Sequence, residues 1–144
     1  MSPYFRRESA ELLTEDEVSL AVRFHLEGEG WTVKSWAPAL GRVHGDDIVA
    51  QQADRLLIIE AKGEGSSDPL SKRFGSPFNG SQVTTHVAMA TYKALHAASR
   101  GAEAGIALPD NALHRMSFGK IQPALSGLGI SVFWVSRDAD VSIS

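Results

Sequence analysis

Three charged residues stand at the ends of two apolar runs, where their side chains could act together. Asp47 precedes the run at residues 48–50, and Glu60 and Lys62 end the stronger run that begins at Leu56. Side chains alternate along a strand, so Glu60 and Lys62 lie on the same face. Charge on the buried part of a sheet is costly unless it is paired or holds a metal. The pattern therefore marks these residues as a candidate site.

The spacing of the two runs predicts which residues face each other. If the runs form a hairpin that turns about Ala53 and Asp54, residue 47 pairs with residue 60. Directly opposed residues share a face, with Cβ atoms roughly 4.5–5.5 Å apart. Two carboxylates that close repel unless a proton or a cation lies between them. A hard divalent cation such as Mg²⁺, held by both carboxylates and several waters, fits this arrangement. Lys62 would then orient an attacking water or contact a phosphate oxygen.

The rest of the chain predicts the elements that position this hairpin. The predicted order is α-β-β-β-α-β-α-β. The elements are expected at residues 14–28 (helix), 31–36, 48–50 and 56–59 (strands), 81–101 (helix, N-cap Ser81), 105–108 (strand), a following helix, and 130–135 (strand). We expect a single α/β domain over residues 1–144, with its core at about 14–135. A three-layer α/β/α arrangement, with a mixed sheet between helices, is the economical solution.

Composition and charge exclude several classes of protein. The 144 residues are 43% hydrophobic and 22% charged, as in a soluble globular domain. No stretch of eighteen apolar residues and no apolar signal core occur, so neither membrane insertion nor secretion is expected. The absence of cysteine excludes disulfides and thiolate zinc sites and favours a cytoplasmic location. The net charge of -3 argues against a protein that coats nucleic acid by bulk charge.

Residues 63–80 predict a long loop, because they are rich in Gly, Ser and Pro and show no periodicity. Loops of this length in a compact domain are usually functional or mobile. Lys72 and Arg73 lie in it together with Phe74 and Phe78. Basic residues among aromatic ones can bind nucleic acid, so Lys72 and Arg73 are candidate nucleic-acid-binding residues. The alternative is a solvated loop with no such role.

Residues 45–48 (Gly-Asp-Asp-Ile) and 59–63 (Ile-Glu-Ala-Lys-Gly) resemble the core motif of the PD-(D/E)xK nuclease superfamily, which has the restriction-endonuclease-like fold. Within the superfamily, the sequence most resembles small Holliday-junction-resolvase-like and Mrr-like members. Glu17, on the first predicted helix, matches the glutamate that precedes the motif in the family. Gln82, on the second, matches a glutamine that follows it. Asp46 stands where the family has proline, which leaves either aspartate as the ligand, and the hairpin register favours Asp47.

The resemblance implies a Mg²⁺-dependent nuclease that hydrolyses phosphodiester bonds, with DNA as the expected substrate and endonucleolytic cleavage as the expected mode. Mn²⁺ is expected to substitute for Mg²⁺. Glu17 would act through water or a second cation, and Lys62 would position the nucleophile. The implied metal ligands are Asp47, Glu60, the main-chain carbonyl of Ala61 and Glu17, and the implied catalytic residues are Asp47, Glu60, Lys62, Glu17 and Gln82.

Other interpretations of the same residues remain open at this point. A non-catalytic descendant of the nuclease fold could serve as a nucleic-acid or protein binding module. A metal-dependent hydrolase of a small phosphate ester could use the long loop as a lid. Glu17 could only complete the capping box begun by Thr14, and Lys62 could only neutralise Glu60. The choice between DNA and RNA is open, as is the formation of a homodimer with two sites.

Overall fold

The computed structural model describes residues 12–36, 47–65 and 76–144 of the chain. Four helices lie in these ranges: α1 (Glu15–Gly28), α2 (Gly80–Ser99), α3 (Ala112–Gly119) and α4 (Gln122–Gly127). Six strands accompany them: β1 (Thr32–Trp36), β2 (Ile48–Gln52), β3 (Arg55–Ala61), β4 (Glu103–Pro109), β5 (Ser131–Val135) and β6 (Val141–Ile143). Every predicted element is present. The sequence patterns did not indicate α4 and β6.

The strands form one mixed sheet in the order β1-β2-β3-β4-β5-β6. β1, β2 and β3 are antiparallel neighbours, and β6 is antiparallel to β5. β3, β4 and β5 are parallel. Parallel neighbours need crossover connections, which α2 provides between β3 and β4, and α3 with α4 between β4 and β5. The predicted α/β class with a mixed sheet is confirmed.

Helices cover both faces of the sheet. α1 packs on the face that carries Leu57, Ile59 and Ala61 of β3. The other three described helices pack on the opposite face, which carries Ile58 of β3 and Ile106 of β4. Both faces of the central strands are therefore buried, and this explains why β3 and β4 are nearly continuous apolar runs.

The β2–β3 hairpin has the predicted register. Ile48 pairs with Ile59 and Gln52 pairs with Arg55, which leaves Ala53 and Asp54 as the two-residue turn. Ala53 has a φ of 53°, in the left-handed region that glycine or asparagine usually occupies in such turns. The ladder ends at the pair of Ile48 and Ile59, and residues 47 and 60 are the next ones at this end of the hairpin.

The start of α2 corrects one boundary. The N-cap is Asn79 rather than Ser81: its side chain accepts a hydrogen bond from the main chain of Gln82, and the Gln82 side chain accepts one from the main chain of Asn79. This reciprocal pair of hydrogen bonds is a capping box, which satisfies one more main-chain N–H group at the start of the helix than a lone serine would. None of the helices in the described ranges is long and apolar enough to cross a membrane.

Candidate active site

Asp47, Glu60 and Lys62 lie at the end of the β2–β3 hairpin, and Glu60 and Lys62 are on the sheet face that α2 covers. Their exposed fractions are 0%, 3% and 6%, so all three charged side chains are withdrawn from water. Asp47 and Glu60 directly adjoin the last pair of the hairpin ladder, Ile48 and Ile59. Oδ2 of Asp47 accepts a hydrogen bond of 2.8 Å from the main-chain N–H of Ala61, which ties this carboxylate to β3. That the two carboxylates share one face and converge on a cation stays a prediction.

A positive charge from α2 contacts Glu60. Nζ of Lys93 lies 2.9 Å from Oε2 of Glu60, and the Lys93 side chain is 45% exposed. Oε2 is buried and receives no hydrogen bond of good geometry from the described residues, so the contact is an attraction between charges rather than a directed bond. The sequence alternative proposed that Lys62 neutralises Glu60. The ion pair of Glu60 described by the structure is the one with Lys93.

The carboxylate pair fits Mg²⁺ by number and chemistry. Mg²⁺ is commonly bound through one or two carboxylates and keeps several of its waters. Oε2 of Glu60 already attracts an ammonium group, which shows that a cation is favourable at that atom. Within the described ranges no three His, Asp or Glu side chains come close enough to hold a metal together. A cation would therefore depend on Asp47, Glu60, water and the main-chain carbonyl of Ala61.

Gly63, the last residue of the motif, brings the start of α1 against the end of β3. A Cβ atom on Gly63 would lie 2.5 Å from the main-chain nitrogen of Glu15 and 2.8 Å from the carbonyl carbon of Thr14. Next to it, the N–H of Glu64 donates a hydrogen bond of 2.8 Å to the carbonyl of Leu13. The two backbones touch here, so any side chain at residue 63 would push α1 away from the site.

Glu17 lies one turn into α1, and its carboxylate is engaged by the start of that helix. Oε1 of Glu17 accepts hydrogen bonds of 3.0 Å from the main-chain N–H and from the hydroxyl of Thr14. The Thr14 hydroxyl in turn accepts one of 3.2 Å from the N–H of Glu17. Glu17 therefore has the capping role that the sequence allowed. Its role toward a metal stays a prediction.

Gln82 also caps its helix, and it begins a polar face that leads to the carboxylates. His86 and Lys93 lie four and eleven residues after Gln82, which puts all three on one face of α2. As the crossover between two parallel strands, α2 runs opposite to β3, so Lys93 meets Glu60 while His86 approaches Lys62. The pKa of His86 is lowered by burial and by the positive charge of Lys62. A catalytic role for Gln82 stays a prediction.

A third buried carboxylate, Glu64, follows Lys62 closely and is held by several donors. Its Oε1 accepts a hydrogen bond of 2.9 Å from the N–H of Leu13, and its Oε2 accepts one of 2.8 Å from the Asn111 side chain. One guanidinium nitrogen of Arg137 lies 3.3 Å from Oε1 and 3.4 Å from Oε2. Glu64 thus joins the end of β3 to the segments that follow β4 and β5 and to the start of α1.

Asn111 extends this network to His114. Oδ1 of Asn111 accepts a hydrogen bond of 2.9 Å from the N–H of His114 and lies 2.8 Å from Nδ1 of its ring. In this arrangement Nδ1 carries the hydrogen and Nε2 carries the lone pair. Burial lowers the pKa of His114 to about 4; nearby Glu64 opposes this shift with a smaller effect, and nearby His86 contributes to it. His114 is therefore neutral at pH 7.

Sequence reasoning missed five of these residues. A signal for Lys93 was present, because its spacing from Gln82 and His86 repeats the helical period. The other four, Glu64, Asn111, His114 and Arg137, come together only through contacts between distant segments.

Three sequence predictions fall outside the described residues. Lys72 and Arg73 do so, and so does Asp46, the alternative ligand, so these assignments stay predictions. Comparison of the chain with protein-family models, with curated proteins and with solved structures gave no match.

Proposed function

We propose that the protein is a Mg²⁺-dependent nuclease of the PD-(D/E)xK type that hydrolyses phosphodiester bonds in DNA as an endonuclease. The observation that carries this proposal is the set of three buried charges, Asp47, Glu60 and Lys62, at the end of one hairpin. Burying a charge costs several kcal/mol per ion, which is comparable to the net free energy of unfolding of a whole domain. A metal-dependent phosphodiester site gives each of the three charges a use.

The roles follow from where each group lies. Asp47 and Glu60, together with the main-chain carbonyl of Ala61, would hold the cation, whose chemistry is to polarise the phosphate and to make a water acidic enough to act as a nucleophile. The Ala61 N–H fixes the orientation of the Asp47 carboxylate. Lys62, buried on the same face, would orient the attacking water and stabilise negative charge as it develops on the phosphate.

Further residues complete the proposal. Glu17 would act through water or a second cation, and Gln82 and His86 would line the side of the site formed by α2. Lys72 and Arg73 would contact the nucleic-acid backbone. A cytoplasmic location, with DNA as the partner, goes with this function.

The binding-module alternative has an observation of its own. Lys93 contacts Glu60 and gives that carboxylate a positive neighbour without any metal. Both capping boxes likewise give Glu17 and Gln82 structural roles. In a module that only binds nucleic acid or protein, these contacts would be the whole purpose of the residues.

Cleavage of labelled DNA tests the two functions against each other. Single-stranded, duplex, branched and circular DNA would be incubated with the purified chain in Mg²⁺ or in chelator, beside Glu60→Gln. The nuclease proposal expects Mg²⁺-dependent cleavage that includes circular DNA and that Glu60→Gln abolishes. Binding of DNA without cleavage, equal in chelator and in Mg²⁺ or Mn²⁺ and equal for both proteins, would contradict it and favour the binding module.

A further inference from the structure

Lys93 differs from the other charged groups of the candidate site because it can leave it. Its stem begins on α2 and its side chain is 45% exposed, whereas the carboxylate that it contacts is 3% exposed. The other groups at the site are held within the sheet: Glu60 by its strand and Asp47 by the Ala61 N–H. The ammonium group is therefore the movable partner of a fixed, buried carboxylate.

The contact itself is one that a competing cation can replace. Nζ of Lys93 is 2.9 Å from Oε2 of Glu60, yet Oε2 receives no hydrogen bond of good geometry from the described residues. A half-exposed lysine regains its hydration readily when it moves into water, so breaking this pair costs little on the lysine side. A divalent cation at the same oxygen would bring twice the charge and a second carboxylate, Asp47.

There is also space for the lysine to move into. Lys93 lines an open surface recess of about 520 Å³ on the outer side of α2. The recess is bordered by small and flexible side chains, among them Thr85, Ala88 and Met89. A lysine side chain has a flexible stem of four carbons and can adopt a different rotamer without any change in the helix.

We propose that Lys93 is a built-in counter-cation that occupies the Glu60 side of the metal position and is displaced by the divalent cation. This inference rests on the proposed nuclease site and adds a regulatory step to it, an exchange of one cation for another. Without metal, the ammonium group neutralises a carboxylate that would otherwise be buried beside Asp47. With metal, the ammonium group is released at the edge of the site, where its charge adds to the positive potential that attracts phosphate.

The exchange predicts that removing the ammonium group strengthens metal binding. In Lys93→Met the stem is retained and the competitor is lost, so Mn²⁺ should bind about fivefold more tightly than to the wild type, the equivalent of one such ion pair. Lys93→Arg keeps a competing cation and should bind Mn²⁺ no more tightly than the wild type. Lys120→Met removes an exposed lysine at the C-cap of α3 and should leave the affinity unchanged. Isothermal calorimetry with Mn²⁺ alone gives all four affinities.

A second measurement uses only the unmodified chain, and so does not depend on the folding of a variant. The rate of reductive methylation of each lysine would be followed by mass spectrometry with and without Mg²⁺. Release of the ion pair should raise the rate at Lys93 when Mg²⁺ is added, while Lys120 serves as the internal reference and stays constant.

The outcomes separate the exchange from the nuclease proposal. If the wild type binds Mn²⁺ but Lys93→Met binds it equally or more weakly, the exchange is wrong and the metal site stands. A methylation rate at Lys93 that Mg²⁺ leaves unchanged or lowers leads to the same conclusion. If the wild type binds no Mn²⁺ at all, both the metal site and the exchange are wrong.

Discussion

Glu60 and Glu64 are two buried carboxylates four residues apart, and their surroundings are opposite in kind. Glu64 receives directed hydrogen bonds from Leu13 and Asn111 and is close to Arg137. Glu60 has an ammonium group near one oxygen, and that oxygen receives no directed hydrogen bond from the described residues. The two side chains have almost the same exposure, so burial alone does not distinguish them.

The difference indicates which carboxylate serves the fold and which one is available for chemistry. The donors of Glu64 come from main chain and from side chains that other contacts hold in place, so its charge is stabilised whenever the chain is folded. The partner of Glu60 can withdraw into water, so its charge can be offered to a different cation. A buried carboxylate with few fixed donors is the expected form of a ligand, whereas one with many is the expected form of a structural joint.

Glu64→Ala should have the largest effect on stability. It leaves the Leu13 N–H and the Asn111 amide without this acceptor and removes one ion pair of Arg137, so we expect a loss of about 4 kcal/mol in the free energy of unfolding. Urea denaturation measures it. Glu103→Ala is the matched control, because Glu103 forms an exposed ion pair with Arg55 and its loss should cost about 1 kcal/mol or less. Equal losses in the free energy of unfolding of the two variants would contradict the structural role of Glu64.

Lys62→Ala should have the next largest effect, on turnover rather than on stability. If the ammonium group of Lys62 stabilises charge that develops on the phosphate, its loss should lower the rate of DNA cleavage at least about a hundredfold. Mn²⁺ affinity should change little, because the ammonium group is not a ligand. Lys120→Ala is the control for the loss of a lysine elsewhere. A Lys62→Ala protein that cleaves normally, or that unfolds in place of losing only activity, would contradict the catalytic role.

The Glu64 network also predicts how stability depends on pH, through His114. Its pKa is 6.5 in an unfolded chain and about 4 in the fold. Between these values the unfolded state binds a proton that the folded state does not, so stability falls as the pH falls through this window. The loss between pH 7 and pH 5 should be about 2 kcal/mol.

Urea denaturation of the wild type and of His114→Gln at both pH values isolates this contribution. The amide cannot take up a proton, so the variant should lack this part of the pH dependence. A variant with the same pH dependence as the wild type would show that other groups cause it.

The contrast between Glu60 and Glu64 also explains which structural features could be predicted from the sequence. The register of the β2–β3 hairpin was predictable because a two-residue turn fixes each pair that follows it. The N-cap of α2 was misplaced because Asn79 and Ser81 are both good caps, and only the Gln82 side chain selects the first. These are local relations, within a few residues of one another.

The surroundings of Glu64 were not predictable in the same way. Its partners lie 51, 47 and 73 residues away along the chain. They meet because parallel strands bring their carboxyl ends to one edge of the sheet, where the start of α1 also lies. The sequence shows that Glu64 is charged and follows a strand, but the identity of its donors depends on the complete fold. Lys93 is intermediate, since the helical period gives its face but not its partner.

Glu60→Gln should have the smallest effect on stability. The comparison of Glu60 with Glu64 depends most on this result. The amide has nearly the shape of the carboxylate, Lys93 can move into water, and replacing a buried ion pair by neutral groups is often close to neutral in free energy. In chelator we expect a change of less than about 0.5 kcal/mol in the free energy of unfolding, of either sign.

The same substitution at the other carboxylate, Glu64→Gln, turns an acceptor into a donor that faces existing donors and should cost about 2 kcal/mol. Urea denaturation of both variants in chelator measures the difference, and calorimetry with Mn²⁺ should show loss of binding for Glu60→Gln but not for Glu64→Gln. If Glu60→Gln costs as much as Glu64→Gln, then Lys93 and Glu60 form a structural ion pair. In that case the fold depends on both carboxylates equally, and the distinction between a joint and a ligand no longer holds.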